Sequence, residues 1–214
     1  MKPPRISEST VRRLSVYLRL LRELGEEDRE VVSSQELAER SGTTSAQVRK
    51  DLSLFGSFGK RGRGYMVPEL RTTLEEILGL GRRWRVAVVG VGKIGTALLG
   101  YRDLERRGFD IVAAFDNDPA KVGDDVFGVE VSDVGAMDDV VEEKGVEMGI
   151  VATPPEAAQS AADRLVRAGV RAVLNFAPAR LDAPEEVAVR SMDVALEMEG
   201  LSFALSFDGS RPGT

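Results

Sequence analysis

The stretch VAVVGVGKIGTALL, residues 86–99, decides the fold of the C-terminal part of this chain. Its apolar beginning, 86–90, has the length of a buried strand, and a helix is expected to open directly after it. Between them lies a G-x-G-x-x-G pattern, in which the glycines permit a tight turn, close approach of a pyrophosphate, and close helix–strand packing. The pattern consists of Gly90, Val91, Gly92, Lys93, Ile94 and Gly95. The sequence therefore predicts a dinucleotide site, the alternative being a glycine-rich turn without a ligand.

An acidic residue completes this fingerprint. Asp116 ends the next predicted strand, FDIVAAFD at 109–116, and is followed by Asn117. A carboxylate at that place accepts hydrogen bonds from both adenosine-ribose hydroxyls and repels a 2′-phosphate. No arginine follows in NDPAKVG, so the pattern favours NAD(H) over NADP(H).

Alternating strands and helices continue to residue 190. Further strands are predicted at 126–131, 146–152, 170–175 and 187–190, with helices at about 93–108, 135–143 and 155–168. Alternating βαβ units form a parallel sheet covered on both faces, and ligands bind beyond the carboxyl ends of its strands. Two strand ends therefore supply further candidate cofactor contacts, the alternative being ordinary proline-containing turns. These candidates are Thr153, Pro154, Asn175, Phe176, Ala177 and Pro178.

The N-terminal part differs in charge. Residues 1–83 contain 16 Lys and Arg against 12 Asp and Glu, whereas residues 84–214 contain 13 against 23. A basic part joined to an acidic part fits one domain that meets phosphates and one that does not. After a helix at 7–24, capping patterns at Ser33 and Thr44 begin two short helices, to Ser41 and to Phe55, which form a helix-turn-helix.

The second of these helices carries polar and basic residues opposite its apolar face. A glycine-rich segment, GSFGKRGRGYM at 56–66, then predicts a β-hairpin wing with a basic tip, and Pro68 opens a helix to about Leu80. Arginine and lysine donate to guanine, glutamine pairs with adenine, and a wing arginine suits a narrow minor groove. The candidate DNA contacts are Ser45, Gln47, Arg49, Lys50, Ser53, Lys60, Arg61 and Arg63; the alternative is a solvated helical face. Asp51 among them is expected to cap a helix or to pair within the protein.

A last helix is predicted at 191–207, with Ser191 as its N-cap. Its apolar residues cover more than one face, so a partner subunit is the expected cover, and burial within a monomer is the alternative. The tail DGSRPGT, 208–214, is expected to be disordered.

Over nearly its whole length the chain resembles the Rex family of bacterial redox-sensing repressors. The resemblance is carried by QVRKDLSLFGSFGKRGRGY (47–65), VVGVGKIGTAL (88–98), AAFDNDPAKVG (113–123), LNFAPARL (174–181) and MDVALEMEGLSF (192–203). It implies a homodimer with an N-terminal winged helix, a C-terminal Rossmann domain and a last helix swapped between subunits.

The resemblance also implies roles for single residues. Lys50 is expected to read bases, Arg61 to enter the minor groove, and Asp193 to pair with Arg19 in one state and with Tyr101 in the other. The chain departs from some members at Val194, where they carry a bulky aromatic residue near the nicotinamide. The expected protein represses transcription from an inverted-repeat operator and is released when NADH replaces NAD⁺, which would regulate respiratory and fermentative genes.

The sequence thus predicts an α/β protein with four parts. These are a winged helix-turn-helix DNA-binding domain (1–81), a doubly wound Rossmann NAD(H)-binding domain (82–190), a swapped dimerisation helix (191–207) and the tail (208–214). Neither cysteine nor histidine occurs, which lowers the expectation of catalysis and of a metal site. No signal segment or membrane span is seen, so a cytoplasmic protein is expected. Two alternatives remain, an NAD-dependent oxidoreductase and a repressor that senses another nucleotide such as coenzyme A.

Overall fold

A computed structural model describes residues 6–56, 58 and 64–208 of the 214-residue chain. It divides into two compact units, residues 1–82 and 83–214. No helix of the described part is long and apolar enough to cross a membrane.

The first unit is a helical bundle with a two-stranded sheet. Its elements are α1 (Glu8–Glu26), β1 (Val31–Val32), α2 (Ser34–Ser41), α3 (Ser45–Ser53), β2 (Tyr65–Met66) and α4 (Val67–Ile77). Strands β1 and β2 pair antiparallel. Leucines on one face of α1 pack with apolar residues of α2, α3 and α4 in a single core. The two helices α3 and α4 are shorter than predicted and end at Ser53 and Ile77.

Local capping explains why α2 and α3 begin where the sequence predicts. The Ser33 hydroxyl accepts a hydrogen bond from the Glu36 amide at 3.0 Å, and the Thr44 hydroxyl accepts one from the Gln47 amide at 3.1 Å. Gly42 ends α2 in the left-handed conformation (φ +68°), which glycine adopts without a steric penalty. The helix-turn-helix is confirmed.

The second unit contains a seven-stranded sheet. Its strands are β3 (Trp84–Val89), β4 (Phe109–Asp116), β5 (Asp125–Val126), β6 (Val129–Asp133), β7 (Met148–Val151), β8 (Ala172–Asn175) and β9 (Ala188–Ser191). The order is β5-β6-β4-β3-β7-β8-β9, and every neighbouring pair except β5–β6 is parallel. The parallel strands follow the doubly wound order β6-β4-β3-β7-β8-β9, in which successive strands are added first on one side of β3 and then, from β7 on, on its other side. The Rossmann-like fold class is confirmed.

Helices cover both faces of this sheet. They are α5 (Lys93–Leu99), α6 (Arg102–Arg106), α7 (Met137–Glu143), preceded by a 3₁₀ turn at Val134–Ala136, and α8 (Pro155–Arg167). Two apolar clusters result, one beneath α7 and α8 and one on the opposite face around Val88 and Ala114. A last helix, α9 (Val194–Asp208), follows β9.

Two predicted elements were wrong in outline. The helix expected at 93–108 is interrupted at Gly100–Tyr101, where a Cβ on Gly100 would come within 2.9 Å of the Phe127 ring. The strand expected at 126–131 is instead the β5–β6 hairpin, whose turn places Phe127 at φ +56°. The two deviations lie next to each other in space, because Phe127 of the hairpin turn packs close to Gly100.

The start of α9 was also predicted wrongly. Ser191 belongs to β9, and Asp193 occupies the capping position instead, because its Oδ1 accepts from the Ala195 amide at 2.9 Å and the Leu196 amide at 3.4 Å. The helix extends to Asp208, the first residue of the predicted tail; the remaining tail residues, 209–214, lie outside the described part.

Candidate functional site

The glycine-rich loop joins β3 to α5 in a conformation that needs two of its three glycines. Gly90 has φ +94°, and a Cβ there would approach the Ala152 carbonyl oxygen to 2.7 Å. A Cβ on Gly95 would overlap the Gly90 carbonyl oxygen. Around Gly92, in contrast, no atom of the described residues lies within 4 Å of where a Cβ would stand. The loop is therefore closed against the protein at two glycines and open at the third.

A cleft of about 580 Å³ lies beyond the carboxyl ends of β3, β4 and β7. This is the crevice where a doubly wound sheet binds its ligand. Six of the predicted cofactor contacts line the cleft: Gly90, Gly92, Asp116, Asn117, Thr153 and Pro154. The other predicted contacts, Val91, Lys93, Ile94, Gly95 and the 175–178 turn, are outside its lining, and the Val91 side chain is buried.

Asp116 is tied to the loop that it was predicted to serve. Its Oδ2 accepts from the Val91 amide at 2.8 Å and from Lys121 Nζ at 3.0 Å, and its Oδ1 accepts from the Asp118 amide at 2.9 Å. Burial alone raises the pKa of this carboxyl, but the hydrogen bonds from Asp118, Lys121 and Val91 outweigh burial, so the pKa lies below its ordinary value. Asp116 is therefore an anion at the edge of the cleft.

Thr153 adds an unsatisfied polar atom. Its Oγ1 is buried without a hydrogen-bond partner among the described residues, although Thr153 lines the cleft. A buried hydroxyl without a partner costs about 1–3 kcal/mol, so a ligand group that bonds to it gains free energy.

The sequence reasoning did not single out several residues that line the cleft. These are Lys121, Val134, Met137, Glu156, Ala157, Ser160, Ala161 and Arg164. Lys121 lies only five residues after Asp116, within the quoted segment NDPAKVG, so its contact with Asp116 could have been predicted from the sequence. Ser160 and Arg164 had none except their i,i+4 spacing on α8, because only the packing of that helix beside β7 turns them toward the strand ends.

Asn175 has a structural contact set. It is fully buried, its Nδ2 donates to the Ala179 carbonyl at 2.7 Å, and its Oδ1 accepts from the Ala177 amide at 2.9 Å. Phe176 and Pro178, within the same turn, are half-buried and exposed. The Met192 amide donates to the Asn175 carbonyl at 2.8 Å. This last bond places the start of α9 beside the 175–178 turn.

Helix α3, the second helix of the helix-turn-helix, exposes its predicted DNA contacts to different degrees. Arg49, Lys50 and Ser53 are exposed, while Ser45 and Gln47 are half-buried. Arg49 donates to the Ser34 hydroxyl at 3.0 Å, and the Ser53 hydroxyl donates to the Lys50 carbonyl at 2.8 Å. The wing residues Lys60, Arg61 and Arg63 lie outside the described part. Arg49 and Lys50 are thus two exposed cations in the second half of α3, and Arg49 also bonds to α2.

Asp51 pairs within the protein as expected, and more extensively. It is 1% exposed and accepts from Arg13 Nε at 2.6 Å, Arg13 Nη2 at 2.7 Å, Tyr17 Oη at 3.1 Å and Gln47 Nε2 at 2.8 Å. Burial raises the pKa of Asp51, but these hydrogen bonds outweigh it and hold the pKa below the ordinary value. Burial and the Asp51 contact raise the pKa of Tyr17 to about 12.

The three predicted switch residues each have local surroundings. Arg19, in α1, forms an exposed ion pair with Glu23 at 3.9 Å. Tyr101, at the break between α5 and α6, is 55% exposed. Asp193 caps α9 and is half-buried. Their exchange of partners stays a prediction.

Helix α9 exposes most of its apolar side chains. Val194, Leu196, Met198, Leu201, Phe203 and Leu205 are each 60% exposed or more. Among the described residues, no group of three or more Asp and Glu has an arrangement suited to a metal ion.

Comparisons with known proteins cover both units. Residues 5–53 match the family described as a putative DNA-binding protein N-terminus, and residues 82–179 match the CoA binding domain. The chain is 48% identical over 208 residues to the redox-sensing transcriptional repressor Rex of Carboxydothermus hydrogenoformans. This alignment covers 97% of this chain and 100% of that protein. This chain belongs to the Rex family.

Other Rex proteins show the same similarity. The Rex repressor of Syntrophobacter fumaroxidans is 43% identical over 97% of this chain and 99% of its own length. The crystal structure of RSP with β-NAD⁺ and operator DNA superposes with a TM-score of 0.89 at 36% identity and covers 97% of this chain and 99% of RSP. The structure of RSP with β-NADH gives a TM-score of 0.87 and covers 96% of both chains.

Proposed function

We propose that this chain represses transcription by binding operator DNA as a homodimer and that it leaves the operator when NADH replaces NAD⁺. Respiratory and fermentative genes are the proposed targets. The observation that carries this proposal is the Rex-family match over 97% of the chain, which joins a recognition helix to a dinucleotide cleft in one polypeptide. RSP, a Rex-family repressor, has been crystallised with β-NADH and with β-NAD⁺ plus operator DNA.

The residues of the cleft fit a dinucleotide. The open space at Gly92 admits a pyrophosphate close to the backbone, and the Thr153 hydroxyl, which has no partner among the described residues, offers a polar contact. The anionic Asp116 would bind the adenosine ribose and disfavour a 2′-phosphate. Lys121 would release one Asp116 oxygen for that contact.

The redox signal would act near the start of α9. A bound nicotinamide ring supplies the difference, because it is positively charged in NAD⁺ and neutral in NADH. An apolar environment at Phe176, Ala177 and Val194 would disfavour the charged form. The Met192–Asn175 backbone bond supports coupling of this turn to Asp193 at the cap of α9.

DNA contact is proposed for the exposed face of α3 and for the wing. Lys50 would read bases, Arg49 and Ser53 would contact the operator beside it, and Arg61 between Lys60 and Arg63 would enter the minor groove. The exposed positions of Arg49, Lys50 and Ser53 support this assignment.

Dimerisation is proposed through α9. Six large apolar side chains at least 60% exposed on one helix are costly in water, because each gains about 1.5–3 kcal/mol from burial. A second copy that exchanges this helix would cover them. We accordingly propose that residues 1–81 bind DNA, 82–190 bind NAD(H) and 191–207 dimerise, and that the protein acts in the cytoplasm, where its DNA lies.

An operator gel shift with increasing NADH at constant NAD⁺ tests the proposal. The expected result is release of the DNA as NADH rises. Lys50→Ala should weaken specific operator binding and leave NADH binding unchanged, while Asp116→Arg should move the preference toward NADP(H). Equal effects of both cofactor forms on the protein–DNA complex would refute the redox-sensing function.

Coenzyme A is a second candidate ligand, because residues 82–179 match the CoA binding domain. Competition of coenzyme A against bound NADH measures this alternative. We further propose that the chain does not catalyse dehydrogenation, since the curated relative that it matches over 97% of its length is a transcriptional repressor. Turnover of common alcohols or hydroxy acids with NAD⁺ would contradict that.

A further inference from the structure

The recognition helix is attached to α1 through a buried carboxylate. Asp51 lies on the inner side of α3, opposite the exposed Arg49 and Lys50. Arg13 donates to both of its oxygens, and the Tyr17 hydroxyl donates to one, across sequence separations of 38 and 34 residues. Arg13 is itself anchored, since its Nη2 donates to the Thr10 hydroxyl at 3.1 Å. These contacts hold the Asp51 carboxylate in one position.

Gln47 is the remaining partner of that carboxylate, one turn earlier on α3. Its Nε2 donates to Asp51 Oδ1 at 2.8 Å. The pKa of Asp51 lies below its ordinary value, so the carboxylate is ionised at neutral pH and only accepts hydrogen bonds. Since only the nitrogen side of the amide can face an acceptor, the carbonyl oxygen of Gln47 must point away from Asp51.

A glutamine without such a partner can turn its amide over and present either edge to a base. The two orientations read different bases. Adenine and cytosine offer an amino donor in the major groove, whereas guanine and thymine offer acceptors there. An amide held with its oxygen outward therefore favours the amino bases.

We propose that Asp51 is a positioning residue for base reading, which holds the Gln47 amide so that its carbonyl oxygen meets an adenine or cytosine amino group. The inference rests on the proposed function, because it requires α3 to lie in the major groove. The proposal gives the buried Asp51 a role in base specificity. It also distinguishes Gln47, whose amide is held by a hydrogen bond, from the exposed Lys50.

The test is a selection from randomised DNA duplexes with the full-length protein and NAD⁺. The wild type should enrich adenine or cytosine at one base position in each half-site. In Asp51→Asn, the new side-chain NH₂ can donate to the Gln47 oxygen and turn the amide over. Discrimination at that one position should then fall at least tenfold or invert, while the ranking at the other positions is kept.

Two further variants isolate the pair. Gln47→Met keeps side-chain length and the Asp51–Arg13–Tyr17 contacts, and it should lose discrimination at the same position only. Adding Asp51→Asn to Gln47→Met should change the ranking no further. Gln35→Met is the matched control. Gln35 donates to Glu39 at 3.1 Å with the same i,i+4 spacing, but on the exposed face of α2. The base ranking of Gln35→Met should equal that of the wild type.

A uniform loss of affinity in Asp51→Asn, with the base ranking kept, would overturn the positioning role, since a purely structural Asp51 predicts that result. If that variant does not fold, Gln47→Met still decides, because an unchanged ranking would overturn the inference. The side-chain amide protons of Gln47, assigned by their absence in Gln47→Met, should also show hydrogen-bonded shifts by NMR; shifts of a free amide would refute it. A wild type that enriches no sequence would refute the proposed function itself.

Discussion

Asp51 in the first unit and Asp116 in the second are both buried aspartates whose pKa is lowered by hydrogen bonds that outweigh burial. Their partners differ in kind. Asp51 is held by side chains from α1 and α3, whereas Asp116 is held by two backbone amides and by Lys121 within the loops around it. Asp51 lies in the interior, where it joins α1 to α3, and Asp116 lies at the edge of the cleft. In both places hydrogen bonds and an ion pair stabilise the carboxylate, between two helices in the first unit and within the glycine-rich loop in the second.

The largest expected effect comes from emptying the interior site. Asp51→Ala leaves the guanidinium of Arg13, the Tyr17 hydroxyl and the Gln47 amide without their acceptor, and loss of one partner of a buried pair costs about 3–5 kcal/mol. Urea unfolding of the full chain measures this cost. Asp103→Ala is the control, because Asp103 pairs with Arg107 at the surface and should cost less than about 1 kcal/mol. Equal costs would contradict the difference between interior and surface pairs.

Substitutions at Gly95 and at Gly92 of the loop should separate the stability of the protein from its NADH affinity. Gly95→Ala places a methyl group against the Gly90 carbonyl and should destabilise the protein by about 1–3 kcal/mol. Gly92→Ala meets no atom of the protein and should change stability by less than about 1 kcal/mol, yet lower NADH affinity at least tenfold, or about 1.4 kcal/mol. Thermal unfolding without ligand and NADH titration give both quantities. Unchanged NADH affinity in Gly92→Ala would remove the pyrophosphate from this loop.

Acid should reduce the contribution of the Asp116 carboxylate to the free energy of unfolding. Because the folded-state pKa of Asp116 is lowered, its stabilisation is present above the unfolded value of about 3.9 and is lost as pH falls through the folded pKa. Asp116→Asn should cost about 1–2 kcal/mol at pH 7, and the difference from wild type should shrink below about pH 4. Urea midpoints from pH 7 down to pH 2.5 follow it; a difference that is constant with pH would contradict an ionised Asp116.

Alkali should reduce the contribution of Tyr17 to the free energy of unfolding, so this contribution is lost as pH rises and not as pH falls. The pKa of Tyr17 is raised to about 12, so its contribution is present below the unfolded value of about 10 and is lost as pH rises toward 12. Tyr17→Phe should cost about 1 kcal/mol at pH 7 and should remove this part of the alkaline loss. Unfolding at pH 9 to 11.5 compares the two chains, and parallel curves would show that Tyr17 titrates as an exposed phenol.

Short-range patterns predicted the local elements. Ser33 and Thr44 were identified as N-caps because each bond spans three residues, and the β4 strand was predicted at 109–116, where it lies. The βαβ alternation predicted parallel strands with helices on both faces, and the structure has this sheet in the doubly wound order. The interruption at Gly100 was not predicted, and the Phe127 ring that lies beside it in space is 27 residues away in the sequence.

The sequence by itself determined the helix-turn-helix, the glycine-rich loop after β3 and the acid that ends β4, because each is written in residues adjacent along the chain. Only the tertiary structure decided that Asp51 meets Arg13 and Tyr17, that Asp193 rather than Ser191 caps α9, and that Ser160 and Arg164 line the cleft. Those contacts join segments distant in sequence. Periodicity places a residue on a face of its helix, but the packing of the helices determines what that face meets.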